Sequence, residues 1–330
     1  MPNVLERLNY ALHSSMETDP RIILLGEDIL DPYGGAFKVT RGLSDKYPGR
    51  VLTTPISEAA IVGIASGLAL RGLIPIVEIM FGDFITLCAD QLVNHASKFR
   101  WMYNEQVRVP MVVRTPMGGR RGYGPTHSQS LEKMFLGVPG LKVVAPNTLG
   151  DPAETLKSAI ADENPVLFIE HKMLYNRPLQ EPERGELIDY QVEKTDGFYP
   201  NFILHPNHNA QITIACYGYN FELVRSAAEE LIMDHETFPE IYLYSQLNNF
   251  DVETLYQSLI RTGNLITVEE GTFSLGWGAE ISARAVERMV GLKVHRVAAR
   301  NLPIANSKSL EDSILPSPKN IVSAALSILN

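Results

Sequence analysis

The sequence predicts an α/β protein of two successive domains, each a mostly parallel sheet covered by helices. Three observations carry the prediction. The chain has 330 residues, and at about 100–200 residues per domain it accommodates two. Short continuous apolar runs alternate with helix-like segments, the mark of strands buried on both faces. Between Tyr175 and Asn209 the texture changes, first to an acidic, proline-broken stretch and then to a turn-rich one, before the alternation resumes. The expected division is a first domain over 1–177, a linker with some local strand over 178–210, and a second domain over 211–330.

The elements follow in order. Asn3–Glu17 reads as an amphipathic helix and Arg21–Gly26 (RIILLG) as a strand. A β-branched run then ends at Pro55, and a helix opens after Ser57, a candidate cap, with Gly63 and Gly67 open to a close backbone approach. Next come the strand Ile74–Ile79, a long helix from Asp83 to about Tyr103, and the strand Pro110–Thr115. A glycine-rich loop, MGGRRGYGPTHSQS, leads to a helix start near Ser130. The strand Leu141–Ala145, a helix over Leu149–Ala161 and the strand Val166–Glu170 close the first domain. In the second, strands are expected at Gln211–Tyr217, Glu240–Tyr244, Asn264–Glu269 and Lys293–Val297. Helices are expected at Phe221–Asp234, Asp251–Arg261, Gly278–Val290 and Lys319–Leu329, with Asn301–Pro318 irregular.

Composition excludes several function classes. A net charge of −9 argues against nucleic acid or an anionic membrane as partner. The longest apolar run, Ala59–Leu70, is too short and glycine-interrupted to span a bilayer. Cys88 and Cys216 are far apart and form no CxxC, so neither a disulfide framework nor a zinc site is expected. The amphipathic start is unlike a secretory signal, and a cytoplasmic protein is the expectation. GxGxxG, P-loop and GxSxG motifs are missing, which argues against a Rossmann dinucleotide site, a P-loop nucleotidase and an α/β-hydrolase.

The candidate chemistry sits where strands end, the ligand-binding edge of open α/β sheets. Glu58 stands alone at the mouth of an apolar helix. A carboxylate there is welcome for helix electrostatics alone, and the sharper alternative is proton exchange with a bound heterocycle. His127 ends the glycine-rich loop, either solvated or placed as an acid, base or donor over a reacting centre. Phe84 is either core or a flat wall for a ring. Arg120 and Arg121 are surface charges or a substrate entrance for an anion, and Arg114 also falls near a strand end.

In order, GED-x-x-DPYGGAFKVTRGL, TPISEAAIVGIASGLALRG, VEIMFGDF, QLVNHASKFRW, VRTPMGG, HSQS, PGLKVVAP and DENPVLFIEHK resemble the β subunit of the thiamine-diphosphate-dependent 2-oxo acid dehydrogenase E1 component. Pyruvate, branched-chain 2-oxo acid and acetoin dehydrogenases belong to this group. The likeness covers about residues 20–177 almost continuously, and EEGTFSLGWGAEISARAVE extends it more weakly into the second domain. It implies a transketolase-type pyrimidine-binding domain followed by a transketolase C-terminal domain. The implied function is an oxidoreductase that decarboxylates a 2-oxo acid and transfers the acyl group to lipoamide.

The resemblance gives the residues roles. The glutamate matching Glu58 hydrogen-bonds the aminopyrimidine ring nitrogen and favours its imino tautomer, which then takes the thiazolium C2 proton. Phe84 matches the aromatic residue beside the aminopyrimidine, and His127 the histidine that faces C2 and assists transfer to lipoamide. Ala159, Asp162 and Asn164 match a monovalent-cation (K+) site, although an ordinary helix-end turn explains them equally. Thiamine enzymes hold Mg2+ and diphosphate through Gly-Asp-Gly with Asn-Asn about thirty residues on. Here Asn248-Asn249 follows Gly218-Tyr219-Asn220, without the aspartate. The Mg2+ ligands are therefore expected on an α subunit, in an α2β2 heterotetramer active only with that partner, with a lipoyl-bearing E2 acyltransferase as a further partner. The altered approach RRGYGPTHSQS and the segment LYSQLNNFDVE depart from the pattern. They leave open a thiamine-dependent carboligase or acyl transferase of specialised metabolism on the same site, and a non-catalytic scaffold as a reading from another class.

Overall fold

The computed structural model describes residues 1–180, 190–249 and 252–330. Two compact units form, one from 1–117 and 134–179 and the other from 118–133 and 180–330. The glycine-rich loop thus leaves the sheet that precedes it in sequence and belongs to the second unit.

In the first unit, α1 (Val4–Thr18) begins with a reciprocal cap: Glu6 N–H donates to Asn3 and Asn3 N–H to Glu6. Its Arg7 donates to Asp151, which in turn caps α5 (Pro152–Ala161) through Ala153 N–H. Six parallel strands make the sheet: β1 (Ile22–Gly26), β2 (Val51–Thr53), β3 (Ile74–Glu78), β4 (Val112–Met117), β5 (Lys142–Val144) and β6 (Val166–His171). Their spatial order is β2-β1-β3-β4-β6-β5, with Gly26 opposite both Thr53 and Glu78. β3, β4 and β6 are buried along their whole lengths, which explains the apolar runs with which each begins before Glu78, Arg114 and Glu170. α2 (Leu43–Lys46) precedes β2, and α3 (Glu58–Leu70) follows it. α3 buries Ile61, Val62, Ala65, Ser66 and Ala69.

Two expectations change here. Ser57 precedes α3 but makes no side-chain cap, since its side chain is exposed and only its carbonyl receives Ile61 N–H. Among the described residues, a Cβ at Gly63 would meet only Gln91, at 3.7 Å, and one at Gly67 nothing within 4 Å, so both glycines lie on an open face of α3. The long helix over 83–103 is three pieces: a 3₁₀ segment (Gly82–Cys88), a π-type turn (Gln91–Ala96) and α4 (Ser97–Met102). At the π-type turn the His95 ring bonds the Asp90 carbonyl and Ser97 Oγ donates to the Val93 carbonyl, competing with the regular ladder.

The second unit has a mixed sheet. Its strands are β7 (Tyr190–Lys194), β8 (Phe202–Pro206), β9 (Ile212–Tyr217), β10 (Pro239–Tyr244), β11 (Asn264–Thr272) and β12 (Lys293–Ala299), in the order β12-β11-β9-β10-β8-β7. β8 runs antiparallel to β10 and to β7, so part of the segment read as a linker is sheet. Residues 181–189 of that segment lie outside the described residues, as does Asp251 at the expected helix start. α6 (Asn220–His235), α7 (Val252–Thr262) and α8 (Trp277–Arg288) alternate with the strands, and α10 (Pro318–Leu329) closes the chain. α9 (Lys308–Ile314) lies inside the stretch expected to be irregular, and near Ser130 only a 3₁₀ turn, Glu132–Met134, forms. Among the described residues, no helix is long and apolar enough to cross a membrane.

Candidate functional site

At the carboxyl edge of the first sheet, Glu27 follows β1 and Glu58 opens α3 just beyond β2. Both carboxyls are buried, at 8% and 7% exposure, in a place where a free acid would normally seek water. Burial raises the proton affinity of Glu27, and the charge of Glu58 raises it further. Glu27 Oε1 and Thr54 Oγ1 are buried without a hydrogen-bond partner. Glu58 also faces the 3₁₀ segment: burial, and then the charge of Glu58, push the Cys88 thiol up to about 12. Phe84 lies on that segment, half-buried, in an aromatic row. Its ring meets Phe81 edge-on at 6.0 Å, Phe81 meets Phe37 at 5.8 Å, and Phe37 meets Tyr175 at 5.2 Å.

Below this edge lies a network that the sequence did not announce. Arg114 Nε and Nη2 donate to Glu170 at 2.7 and 2.8 Å, Arg114 Nη1 donates to Glu78 at 2.9 Å, and Tyr175 Oη donates to Glu170 at 2.7 Å. Arg114 is 1% exposed and so is no rim residue; it is the counter-charge of two carboxylates inside the sheet. Burial opposes the Arg114 charge, but Glu170 and Glu78 outweigh it and hold its proton more tightly than usual. Burial raises Glu78 despite Arg114. Gly35, at φ +80°, lets the GED loop pass Glu78, whose Oε1 would lie 2.5 Å from a Cβ there.

In the second unit, His127 is half-buried near the end of the glycine-rich loop, its Nδ1 3.0 Å from Thr126 Oγ1. Arg120 is less a substrate entrance than a structural cation. Its Nε donates to Glu270 at 3.0 Å, its Nη2 to the Pro316 carbonyl at 2.7 Å, and its guanidinium lies 5.4 Å from the Tyr219 ring centre. Arg121, half-buried beside it, belongs to the same loop.

The cofactor and metal expectations divide. A buried carboxyl, partnerless buried oxygens beside it and an aromatic row suit a flat, nitrogen-bearing heterocycle, so the pyrimidine part of thiamine fits the first unit. Magnesium fits poorly here: among the described residues no group of His, Cys, Asp and Glu is placed to hold a metal. At the potassium positions, Asp162 N–H donates to the Ala159 carbonyl, and Asp162 Oδ1 accepts from Asn164 N and Nδ2 at 3.0 and 2.9 Å. Asp162 Oδ2 pairs with Lys142, and Asn164 Oδ1 accepts from Arg100 at 3.2 Å. Lys142 and Arg100 thus meet Asp162 Oδ2 and Asn164 Oδ1, and Asn164 N–H groups meet Asp162 Oδ1, so within this chain the segment is bonded as an ordinary helix-end turn. A cleft of about 660 Å³ bounded by Arg21, Ile74 and Pro110 lies at the opposite, amino edge of the sheet. Parallel sheets do not ordinarily bind ligands at that edge.

Comparison with known proteins agrees with this architecture. The chain matches the family described as the transketolase pyrimidine binding domain over residues 2–178 and that described as the transketolase C-terminal domain over 203–321. It is 35% identical to the acetoin:2,6-dichlorophenolindophenol oxidoreductase subunit beta of Cupriavidus necator, covering 96% of this chain and 94% of that protein. It is 34% identical to the mitochondrial pyruvate dehydrogenase E1 component subunit beta of Dictyostelium discoideum, covering 98% and 89%, respectively. With its Rickettsia bellii counterpart the identity is 33%, covering 97% and 96%. A solved structure described as a split gene transketolase, inactive beta4 tetramer, superposes at a TM-score of 0.76 with 19% identity, over 100% of this chain and 99% of that one.

Proposed function

We infer the function from one premise: the chain belongs to the family of transketolase-like E1 β subunits of 2-oxo acid dehydrogenases. Membership implies thiamine diphosphate dependence. The reading proposed for this chain is the β half of an α2β2 enzyme that decarboxylates a 2-oxo acid and passes the acyl group to a lipoyl group. Thiamine diphosphate, when bound, would supply an acidic thiazolium carbon as the nucleophilic centre for a 2-oxo acid. The observation that carries the proposal is the pair of buried carboxyls, Glu58 and Glu27, at the carboxyl edge of β1 and β2.

In this proposal Glu58 holds a proton against the pyrimidine ring nitrogen. Glu58 itself is 7% exposed, and that burial limits the water that would compete for the hydrogen bond. Phe84 offers a ring face or edge to the heterocycle and orients it. Glu27, directly after β1, keeps a second acidic group beside Glu58. His127 is the proton donor for the acyl-transfer step. Diphosphate and magnesium are assigned to the α subunit, because Gly218-Tyr219-Asn220 offers no carboxylate.

Two measurements test the reading. Isolated chain should show weak thiamine diphosphate binding by calorimetry, rising by roughly two orders of magnitude or more when the α subunit is added, as expected if one site is split between two chains. Tight magnesium-dependent binding to this chain alone would overturn the split site. In the reconstituted complex, His127→Ala should lower acylation of a lipoyl domain by about 10²-fold and dye-coupled decarboxylation by much less. Equal losses would remove His127 from the acyl-transfer step.

A further inference from the structure

The segment that carries His127 is fastened at both ends, and its first fastening is an unusual use of a buried acid. Glu311, on α9, is 0% exposed. Its Oε1 accepts Arg120 N–H at 2.7 Å and its Oε2 accepts Gly122 N–H at 3.2 Å. The backbone is built for this. Gly118, Arg120, Gly122 and Gly124 have φ of +90°, +74°, +68° and +77°, so left-handed residues alternate with others along the loop. Such alternation turns successive N–H groups toward one side and makes a concavity that prefers an anion. Arg120 is the one non-glycine residue of the four, and it tolerates the left-handed conformation with its guanidinium and its N–H both bonded.

A second acid completes the hold. Glu270 Oε1 accepts Gly119 N–H at 2.7 Å, and its other oxygen accepts Arg120 Nε. The fit is close: a Cβ on Gly119 would lie 2.7 Å from Leu315 Cδ1 and 3.2 Å from Glu311 Oε1. At the far end Tyr217 Oη donates to buried Glu132, and Lys133 bonds Thr272 and the Ser274 carbonyl. His127 lies between these two fastenings.

We propose that Glu311, assisted by Glu270, is a positioning residue for His127: its carboxylate occupies the backbone concavity at Arg120–Gly122 and sets the path of the loop that presents the histidine. The inference rests on the acyl-transfer reading of His127 given above. Glu311 touches no reacting atom; it acts through the loop. Charge-assisted bonds to N–H groups are short and directional, and two of them to one buried carboxylate define the backbone more tightly than side-chain packing on glycines does. A 1 Å displacement of a catalytic group is enough for a large rate loss.

The test uses the reconstituted α–β complex carrying Glu311→Gln, whose amide keeps one acceptor oxygen but turns an NH2 toward a backbone N–H. Gly122→Ala is the second variant, leaving Glu311 and the core intact while placing a Cβ 3.1 Å from the Asn306 carbonyl at φ +68°. Two readouts are taken: amide exchange over 118–127, and the ratio of lipoyl acylation to dye-coupled decarboxylation. The expected result in both variants is about 10-fold faster exchange in the loop, with acylation down about 10-fold and dye reduction changed by less than about 2-fold. Glu311→Asp should fall between. Wild-type exchange in both variants would show that the carboxylate does not hold the loop and would overturn the proposal. Faster exchange with an unchanged ratio, while His127→Ala still changes it, would overturn the positioning role and leave the functional reading standing. If His127→Ala also leaves the ratio unchanged, the reading of His127 fails and the proposal falls with it.

Discussion

The two units bury acids in different ways. In the first, Glu78 and Glu170 share one guanidinium, Arg114, while Glu27 Oε1 at the sheet edge has no partner at all. In the second, Glu269 accepts N–H from Trp277 and Gly278 at 2.7 and 2.9 Å, Glu270 and Glu311 accept N–H from the glycine-rich loop, and Glu132 accepts from Tyr217. The difference separates scaffold from site. An acid whose oxygens are met by cations or N–H groups fixes the fold, and one left partnerless at a strand edge marks where a ligand belongs.

Removing the shared cation should produce the largest effect. Arg114→Met leaves two buried carboxylates facing one another, and urea unfolding should show a loss of about 3–5 kcal/mol. A loss under about 1 kcal/mol would mean that the pair simply takes up protons and that Arg114 is dispensable.

Glu269 should come next. Burial chiefly, opposed by the Gly278 N–H and reinforced by Glu132, pushes its pKa from 4.5 to about 7. A raised acid contributes its full stability below the unfolded value and loses it as pH rises through the folded one. The advantage of wild type over Glu269→Gln should therefore shrink by about 2–3 kcal/mol between pH 4.5 and about 7, as measured by denaturant midpoints. A pH-independent difference would show that its N–H bonds fully offset burial.

The smallest stability effect belongs to Glu27. Its ionised form is disfavoured by burial and by Glu58, so Glu27→Gln should be neutral in acid and stabilising by less than about 1 kcal/mol near neutral pH. A clear destabilisation there would make Glu27 scaffold and blur the distinction between the two kinds of acid.

Much of this architecture was legible in the sequence, for identifiable reasons. β3, β4 and β6 are buried throughout and begin with apolar runs, and α3 follows directly from the apolar stretch behind Glu58. β7 escaped because it is an edge strand with most of its side chains toward water, so Tyr190–Lys194 has no apolar pattern to read. The break in the helix after Asp83 comes from side chains competing for the carbonyls of Asp90 and Val93, which periodicity does not register. Glu58, Phe84 and His127 stand out as candidates through motifs, whereas Glu311 does not: its partner Arg120 is 191 positions away, and α9 is too short to show a helical period. The four positive-φ positions of the loop were half visible, as glycines; the anion that fills their concavity was not.

The central claim is that this chain contributes the acid which shares a proton with the pyrimidine of thiamine diphosphate. The most direct measurement is the turnover of a 2-oxo acid by the reconstituted α–β complex carrying Glu58→Gln, with assembly checked by sedimentation and folding by circular dichroism. The replacement keeps the size of the side chain and removes its exchangeable carboxyl proton. The account predicts an assembled, folded complex with turnover lowered by about 10²-fold or more. Near-normal turnover by that complex would contradict it.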